Sequence, residues 1–207
     1  MTPRGYGPSA AFCPRCAAAL PGPAPTACTG CGYQLFVNAR PTAGLVILDR
    51  PLAVPDRDSG AVVRRPAGVD VPQEAVTPGS GVETDGPRFL ALRRAAAPMI
   101  GRWETPGGFC DGWEHPADAA VREAREELGV DLTLGDYLGM YVGSYEYQGE
   151  ELPVLDVFFL ATLGDQVIDL NRDEATEATW FPLLTPPPLA FGTMDAAIRT
   201  AARRLFR

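Results

Sequence analysis

The chain has 207 residues, of which 46% are hydrophobic, so it can form one good core with room for a small appendage. Its 18 basic and 26 acidic residues give a formal net charge of -8, which argues against a protein that binds polymeric nucleic acid through a basic surface. The sequence has no run of about 18 apolar residues and begins MTPRGYGPSAAF, without the apolar stretch of a signal peptide. Neither a membrane span nor export is indicated, and a cytoplasmic location is expected.

Four of the five cysteines form two pairs near the N-terminus. Cys13 and Cys16 enclose two residues, eleven residues follow, and Cys28 and Cys31 enclose two more. This is the spacing of a tetrahedral zinc site, because each pair directs two thiolates at one ion. Disulfides are the alternative, but thiols stay reduced in the cytoplasm, so zinc is favoured. Four protein ligands leave no open coordination position, and such a zinc would be structural.

Apolar patterns further along the chain predict strands and a terminal helix. Positions 42–49 read as a buried strand and positions 88–93 as its partner. Between them, positions 50–87 are rich in Pro, Gly, Asp and Ser and far longer than a hairpin loop, which predicts a mobile insertion. Positions 138–142 and 154–160 predict two more strands, and the apolar spacing over 194–205 predicts an amphipathic helix.

The segment REAREELG, positions 122–129, predicts an acidic helix. Pro116 suits the first helical position and Gly129 the residue after the last, so the helix is expected over 116–128. Glu123, Glu126 and Glu127 then share one face, because residues three and four apart are neighbours on a helix. The opposite face carries the apolar stripe expected to lie on a core, namely Ala117, Val121, Ala124 and Leu128.

Clustered carboxylates on a helix have two common uses. One is a solvated face with ion pairs, for which Arg122 and Glu126 have the i, i+4 spacing. The other is a metal site, because hard cations such as Mg²⁺ prefer oxygen ligands and relieve the mutual repulsion of the acids. Gly107 and Gly108, which follow Pro106, let the backbone approach a phosphate or a metal closely. Their position ahead of this helix favours the metal site.

The longer string GFCDGWEHPADAAVREAREELGV, positions 108–130, resembles the signature of the Nudix hydrolases, a family that cleaves nucleoside diphosphates linked to another moiety. Ala124 is the one departure, since the family usually has a bulkier aliphatic residue there. All the fixed positions of the signature match: Gly108, Glu114, Arg122, Glu123, Glu126, Glu127 and Gly129.

The resemblance implies roles for these residues. The carbonyl of Gly107 and the side chains of Glu126 and Glu127 would bind Mg²⁺ or Mn²⁺. Glu123 would be a further metal ligand or the base that activates the attacking water, with Arg122 orienting it. Gly108 belongs to the same substrate-facing loop.

The resemblance also implies roles for Glu114 and for an acid in a distant loop. Glu114 resembles the loop glutamate that ties the glycine loop to the helix. A distant loop usually supplies one more acidic ligand in the family, and positions 173–177 precede a Trp-Phe element in this way. Glu174 is the first choice for that ligand and Glu177 the second.

The N-terminal cysteines resemble the zinc ribbon that precedes the catalytic domain in one branch of Nudix proteins, which includes the NADH pyrophosphatases. The expected organisation is a ribbon over 1–38 and an α/β Nudix domain over 39–207, with a mixed β-sheet between helices. NADH is not favoured as substrate, because that branch has an SQPW-type element where this chain reads GSYEYQG.

The expected function is metal-dependent hydrolysis of the pyrophosphate linkage in a small nucleotide-type substrate, such as a nucleotide, a nucleotide sugar, ADP-ribose or a dinucleotide. A Nudix-fold domain that senses a nucleotide without hydrolysing it is the alternative, and the complete set of acids favours the enzyme. Cys110 has no evident base beside it, and His115 suits the entry of the helix, so neither is assigned a catalytic role.

Overall fold

The structure, a computed structural model, describes residues 11–50, 86–147 and 149–206. The predicted insertion over 50–87 therefore lies outside the described residues, except for positions 50, 86 and 87. Within the described part, no helix is long and apolar enough to cross a membrane. The elements are β1 Thr26–Ala27, β2 Gln34–Leu35, β3 Arg40–Leu48, β4 Arg88–Arg94, β5 Trp103–Glu104, β6 Gly107–Phe109, α1 Pro116–Leu128, β7 Thr133–Tyr147, β8 Glu150–Thr162, β9 Ala175–Pro182 and α2 Gly192–Leu205.

A seven-stranded mixed sheet forms the centre of the fold. Its strand order is β5-β4-β3-β8-β7, with β6 paired to β3 and β9 paired to β4. Strands β3 and β8 run parallel, and the other pairs are antiparallel. The predicted strands and their mixed sheet are confirmed, although β3 meets its expected partner β4 only where Leu48 lies opposite Phe89. Strands β1 and β2 form a separate two-stranded sheet around the cysteine segment.

The sheet has a hydrophobic core on each face, because successive side chains of a strand point to opposite sides. On one face Leu45 and Ile47 of β3 pack in a cluster with buried residues of α1. On the other, Val46 and Leu48 pack in a cluster with Ile198 and neighbouring residues of α2. The sheet therefore lies between the two helices, as expected.

The first helix begins and ends where the sequence predicts. His115 is its N-cap, with a side-chain nitrogen that accepts from the backbone N–H of Ala117 at 3.1 Å. Gly129 ends it in the left-handed region, at φ 65°. This agrees with the helix-entry interpretation of His115.

The buried face of α1 differs from the expectation. The buried set is Ala119, Ala120, Glu123, Ala124, Glu127 and Leu128. Val121, predicted as part of the apolar stripe, is only partly buried. Glu123 and Glu127 were expected on the face opposite the core, and that expectation is wrong. Small alanines let the helix lie so close to the sheet that the two glutamates are buried at the edge of the core.

Gly44 provides a test of the close packing within the sheet. An ideal Cβ at this position would lie 2.3 Å from the ring of Phe158 on β8. We expect Gly44→Ala to lower the free energy of unfolding by about 1–3 kcal/mol, because the buried ring of Phe158 or the backbone would have to shift to relieve the overlap. Gly112→Ala is the matched control, since a Cβ there would have no neighbour within 4 Å. Chemical denaturation of both variants measures the difference, and equal stability would contradict the packing.

Candidate active site and cysteine cluster

Arg122 joins the loop before α1 to the acids of the helix. Its guanidinium donates to both carboxylate oxygens of Glu114 at 2.9 Å and to the carbonyl of Phe109 at 2.9 Å. It also donates to Glu123 and to Glu126 at 2.8 Å each. The hydrogen bonds from Arg122 lower the pKa of Glu114 to about 2. The ion pair of Arg122 with Glu126 is thus present, but as one part of a network that fixes the loop.

The backbone of the glycine loop lies directly against the carboxylates of α1. The N–H of Gly107 donates to Glu127 at 2.9 Å. An ideal Cβ on Gly108 would lie 2.5 Å from a carboxylate oxygen of Glu123. Gly107 has φ 139°, and a Cβ there would lie 2.1 Å from the carbonyl oxygen of Ala43. Both positions therefore require glycine for this close approach.

Burial raises the free energy of the ionised forms of Glu123 and Glu127. Burial raises the pKa of Glu127 well above its ordinary value, and the nearby acids Glu104, Glu123 and Glu174 raise it further. The N–H of Gly107 opposes this shift by hydrogen bonding to the charged form. The pKa of Glu123 is likewise raised by burial. The group is a set of mutually repelling oxygen ligands, which suits a hard divalent cation.

The loop that carries Glu174 is held against the end of α1. The N–H of Asn171 donates to the carbonyl of Glu127 at 2.9 Å, and its side-chain amide donates to Glu174 at 3.0 Å. The charge of Glu174 raises the pKa values of Glu104, Glu123 and Glu127, so it lies near all three. In contrast, Glu177 forms an ion pair with Arg93 at 3.5 Å. The structure thus brings Glu174, the first choice, toward the site.

The carboxylate oxygens of Glu123, Glu126 and Glu127 do not form one compact cluster. Among the described residues, the cysteines alone form a set of three or more metal-type ligand atoms within 4.8 Å of one another. Oxygens of Glu123 and Glu126 are instead held by Arg122, and Glu127 is held by Gly107. Glu126 is also the most exposed of the three, with about half of its side chain accessible at 52%.

Glu104 is a site residue that the sequence reasoning missed. It is 6% exposed and forms an ion pair with Arg94. Burial raises its pKa to about 7, although Arg94 opposes the shift. Its position directly after Trp103 and three residues before the glycine loop was the available signal.

A cavity of about 120 Å³ opens beside the glycine loop, on the side of the sheet covered by α2. Polar side chains of β3 and β8 line it, with aromatic rings from the loop, from β7 and from the start of α2. A larger open groove of about 1210 Å³ runs along β7 and the N-terminus of α2. Ser144 and Phe191 line both spaces, so the cavity and the groove adjoin.

The four N-terminal cysteines converge at one point. Their sulfur atoms all lie within 4.8 Å of one another, with Cys13 and Cys31 3.7 Å apart and Cys16 and Cys28 3.6 Å apart. Disulfide sulfurs are about 2.0 Å apart, so these thiols are not paired covalently. Four sulfurs at about 2.3 Å from one tetrahedral ion lie about 3.8 Å apart. The cluster could therefore hold a zinc ion, and Cys110 lies outside it.

The family model described as the NUDIX domain matches residues 63–203, more than half of the chain. The chain therefore belongs to the NUDIX family. It is 32% identical over 111 residues to an ADP-ribose pyrophosphatase of Methanocaldococcus jannaschii, a match covering 53% of this chain and 63% of that protein. It is 42% identical over 60 residues to the CTP pyrophosphohydrolase of Escherichia coli K12, covering 29% of this chain and 44% of that protein.

Solved structures share the fold. A NUDIX hydrolase from Nitrosomonas europaea superposes with a TM-score of 0.59 at 18% identity, covering 93% of this chain and 92% of that chain. The chain spans less than two thirds of the length of both curated relatives. Family and fold are thereby established.

The network around Arg122 predicts that replacing Arg122 destabilises the protein more than replacing Arg125, which also lies on α1. Arg122→Met removes the hydrogen-bond donor to the buried acid Glu123, and we expect the free energy of unfolding to fall by about 1–3 kcal/mol. Arg125→Met is the matched control, because Arg125 pairs with Asp131 where both side chains are more than half exposed, at 60% and 65%. Denaturation of the metal-free protein compares the two, and equal losses would show that Arg122 has no special role.

Proposed function

We propose that the chain hydrolyses the pyrophosphate linkage of a nucleoside diphosphate joined to a second group. The placement of buried Glu123 and Glu127 against the backbone of Gly107 and Gly108 carries this proposal. The similarity to an ADP-ribose pyrophosphatase and to a CTP pyrophosphohydrolase supports the same class of reaction.

Mg²⁺ or Mn²⁺ is the cofactor that this set of oxygen ligands fits. Glu126, Glu127 and the carbonyl of Gly107 are proposed to hold it, with Glu174 as a further ligand from the opposite loop. When bound, the cation supplies positive charge for the acids and for the phosphate oxygens of the substrate. Without such a charge, the acids would repel the polyphosphate.

Glu123 is proposed as the group that takes a proton from the attacking water. Its Oε1 accepts a hydrogen bond from Arg122, which fixes the carboxylate and leaves Oε2 to receive the proton. Glu114 holds Arg122 from the other side with two hydrogen bonds and therefore acts as a positioning residue. A direct ligand role for Glu123 is the alternative assignment.

A nucleotide-sensing domain without turnover is the alternative function. It requires no base and no metal-activated chemistry, so it does not explain the burial of Glu123 beside the glycine loop. Incubation with Mg²⁺ and ADP-ribose, NADH, nucleoside triphosphates, nucleotide sugars and dinucleoside polyphosphates separates the two. Tight binding of one compound with no hydrolysis of any would favour the sensor.

Three substitutions test the roles of the acids. Glu126→Gln and Glu127→Gln should weaken Mg²⁺ binding and lower turnover by about 10²- to 10⁴-fold, the scale of losing a charge-stabilising group. Glu123→Gln should lower turnover with Mg²⁺ affinity retained, if Glu123 is the base. Glu150→Gln is the matched control, since Glu150 is exposed at the start of β8. Steady-state kinetics and Mg²⁺ titration measure both effects, and near wild-type turnover in Glu126→Gln and Glu127→Gln would exclude the metal site.

We also infer that Cys13, Cys16, Cys28 and Cys31 bind one structural zinc ion. The sulfur separations of 3.6 and 3.7 Å support this, as does the soft thiolate character of all four ligands. With four protein ligands the ion has no open position, so it takes no part in hydrolysis.

The zinc assignment predicts a difference between two cysteine variants. The protein purified under reducing conditions should contain one zinc per chain, and Cys28→Ser should lose it, because three thiolates hold the ion less tightly. Cys110→Ser should retain a full equivalent, since Cys110 is outside the cluster. Metal analysis of the three proteins measures this. Absence of zinc from fresh wild-type protein would refute the assignment.

A further inference from the structure

The face of the sheet toward α2 changes from apolar to polar along β3 and β8. Val46 and Leu48 lie in the core of this face, but Gly44 and Thr42, further toward the start of β3, line the cavity beside the glycine loop. On β8 the matching position is Asp156, directly opposite Thr42 in the parallel register. An acid on the inner face of a central strand needs a partner, because an unpaired buried polar group is costly.

Only one of the two carboxylate oxygens of Asp156 accepts a hydrogen bond from a side chain of the described residues. The hydroxyl of Thr42 donates to its Oδ1 at 2.5 Å. No other side chain among the described residues donates to this carboxylate, and Oδ2 is left available. An ideal Cβ on Gly143 would lie 3.6 Å from Oδ2, so the glycine keeps one side of this oxygen open. Asp156 therefore presents a free acceptor to the cavity that it lines.

A second polar group of the same cavity also lacks a partner. Thr105 is 1% exposed, and its hydroxyl makes no hydrogen bond with any described residue. It lines the cavity between Glu104 and the glycine loop. Buried hydroxyls are normally hydrogen-bonded, so Thr105 has an unused donor and acceptor at the wall of this cavity.

The walls of the cavity are aromatic. The ring of Tyr145 lies between those of Phe109 and Phe191, at centroid distances of 5.4 and 5.6 Å. Such faces suit a flat ring system, and base stacking on aromatic side chains is a general mode of nucleotide binding. The cavity of about 120 Å³ is too small to enclose a whole nucleotide, but it is continuous with the open groove at Ser144 and Phe191, so a base that enters it can extend into that groove.

We infer that this cavity binds the base of the substrate and that Asp156 selects guanine by accepting its paired N–H donors. This rests on the proposed function, since it names the base of the nucleoside diphosphate. An ionised carboxylate only accepts hydrogen bonds. Guanine alone among the common bases presents two adjacent donors, N1–H and the 2-amino group. Adenine and cytosine place an acceptor beside their amino group, which would face the carboxylate unfavourably.

The other acid of the cavity does not compete for this role. Glu104 forms an ion pair with Arg94, whose guanidinium also lies over the ring of Phe191 at 5.4 Å. The phosphates and the second group of the substrate would leave the cavity past the glycine loop or into the adjoining groove. Asp156 is thus a specificity-determining residue and takes no part in bond cleavage.

The wild-type protein tests the inference without any variant. Calorimetry with Ca²⁺ in place of Mg²⁺ compares GDP with IDP, which lacks the 2-amino group, and with XDP and ADP. GDP should bind about tenfold or more tightly than the other three, the scale of one hydrogen bond to a charged group. Equal binding of GDP and IDP would overturn the inference. Loss of affinity in 2′,3′-dideoxy-GDP but not in IDP would also overturn it, because the ribose diol would then be the donor pair.

Asp156→Asn tests the residue itself. Its amide both donates and accepts, so the preference for GDP over IDP should fall to within about threefold, and XDP should gain about tenfold relative to wild type. Asp165→Asn is the matched control, because Asp165 is exposed just beyond β8 and should leave the preference unchanged. An unchanged preference in Asp156→Asn would overturn the inference. Failure of the proposed function would appear differently, as retained guanine preference with no hydrolysis of any substrate.

Discussion

The close approach between helix α1 and the backbone of the glycine loop is the constraint on which the rest of the site depends. A side chain at Gly108 would collide with the carboxylate of Glu123, and one at Gly107 with the backbone of β3. Alanines on the buried face of α1 bring the helix close enough for this contact. The result is a pair of carboxylates held at the edge of the core, where water is largely excluded and their charges act strongly.

The same arrangement places several carboxylates close together in a buried part of the protein. Buried acids repel one another, and burial raises the pKa of both Glu123 and Glu127. Arg122 and the N–H of Gly107 offset part of the cost through hydrogen bonds to the charged forms. Conflicts of this kind are common where a site is arranged for chemistry rather than for stability. A divalent cation would relieve the remaining repulsion, which links the electrostatics of the helix to the proposed hydrolysis.

The two faces of the sheet contribute different parts of the candidate site. Helix α1 supplies Glu123, Glu126 and Glu127, and the α2 face supplies the cavity lined by aromatic rings and by Asp156. The glycine loop, β6, pairs with β3, with Gly107 beside Gly44, and its glycines also line the cavity. A base in the cavity would therefore lie beside the glycine loop, since Gly107 and Gly108 line the same space. The adjoining groove leaves room for a second group beyond the phosphates.

Local features of the chain were predictable from sequence alone: the bounds of α1, its caps at His115 and Gly129, the glycine loop and the paired cysteines. Each depends on residues within a few positions of one another, so spacing and side-chain chemistry suffice. Only the tertiary structure showed that Glu104 lies at the site, because β5 reaches it through pairing with β4. Glu174 was expected from the family resemblance, but its position beside α1 depends on the hydrogen bond of Asn171 to the last turn of the helix. The tertiary structure also decided that Glu123 and Glu127 are buried, since helical periodicity gives the angle between side chains but not the distance to the sheet. The contact of Thr42 with Asp156, 114 residues away, depends in the same way on the parallel register of β3 and β8, which no local pattern encodes.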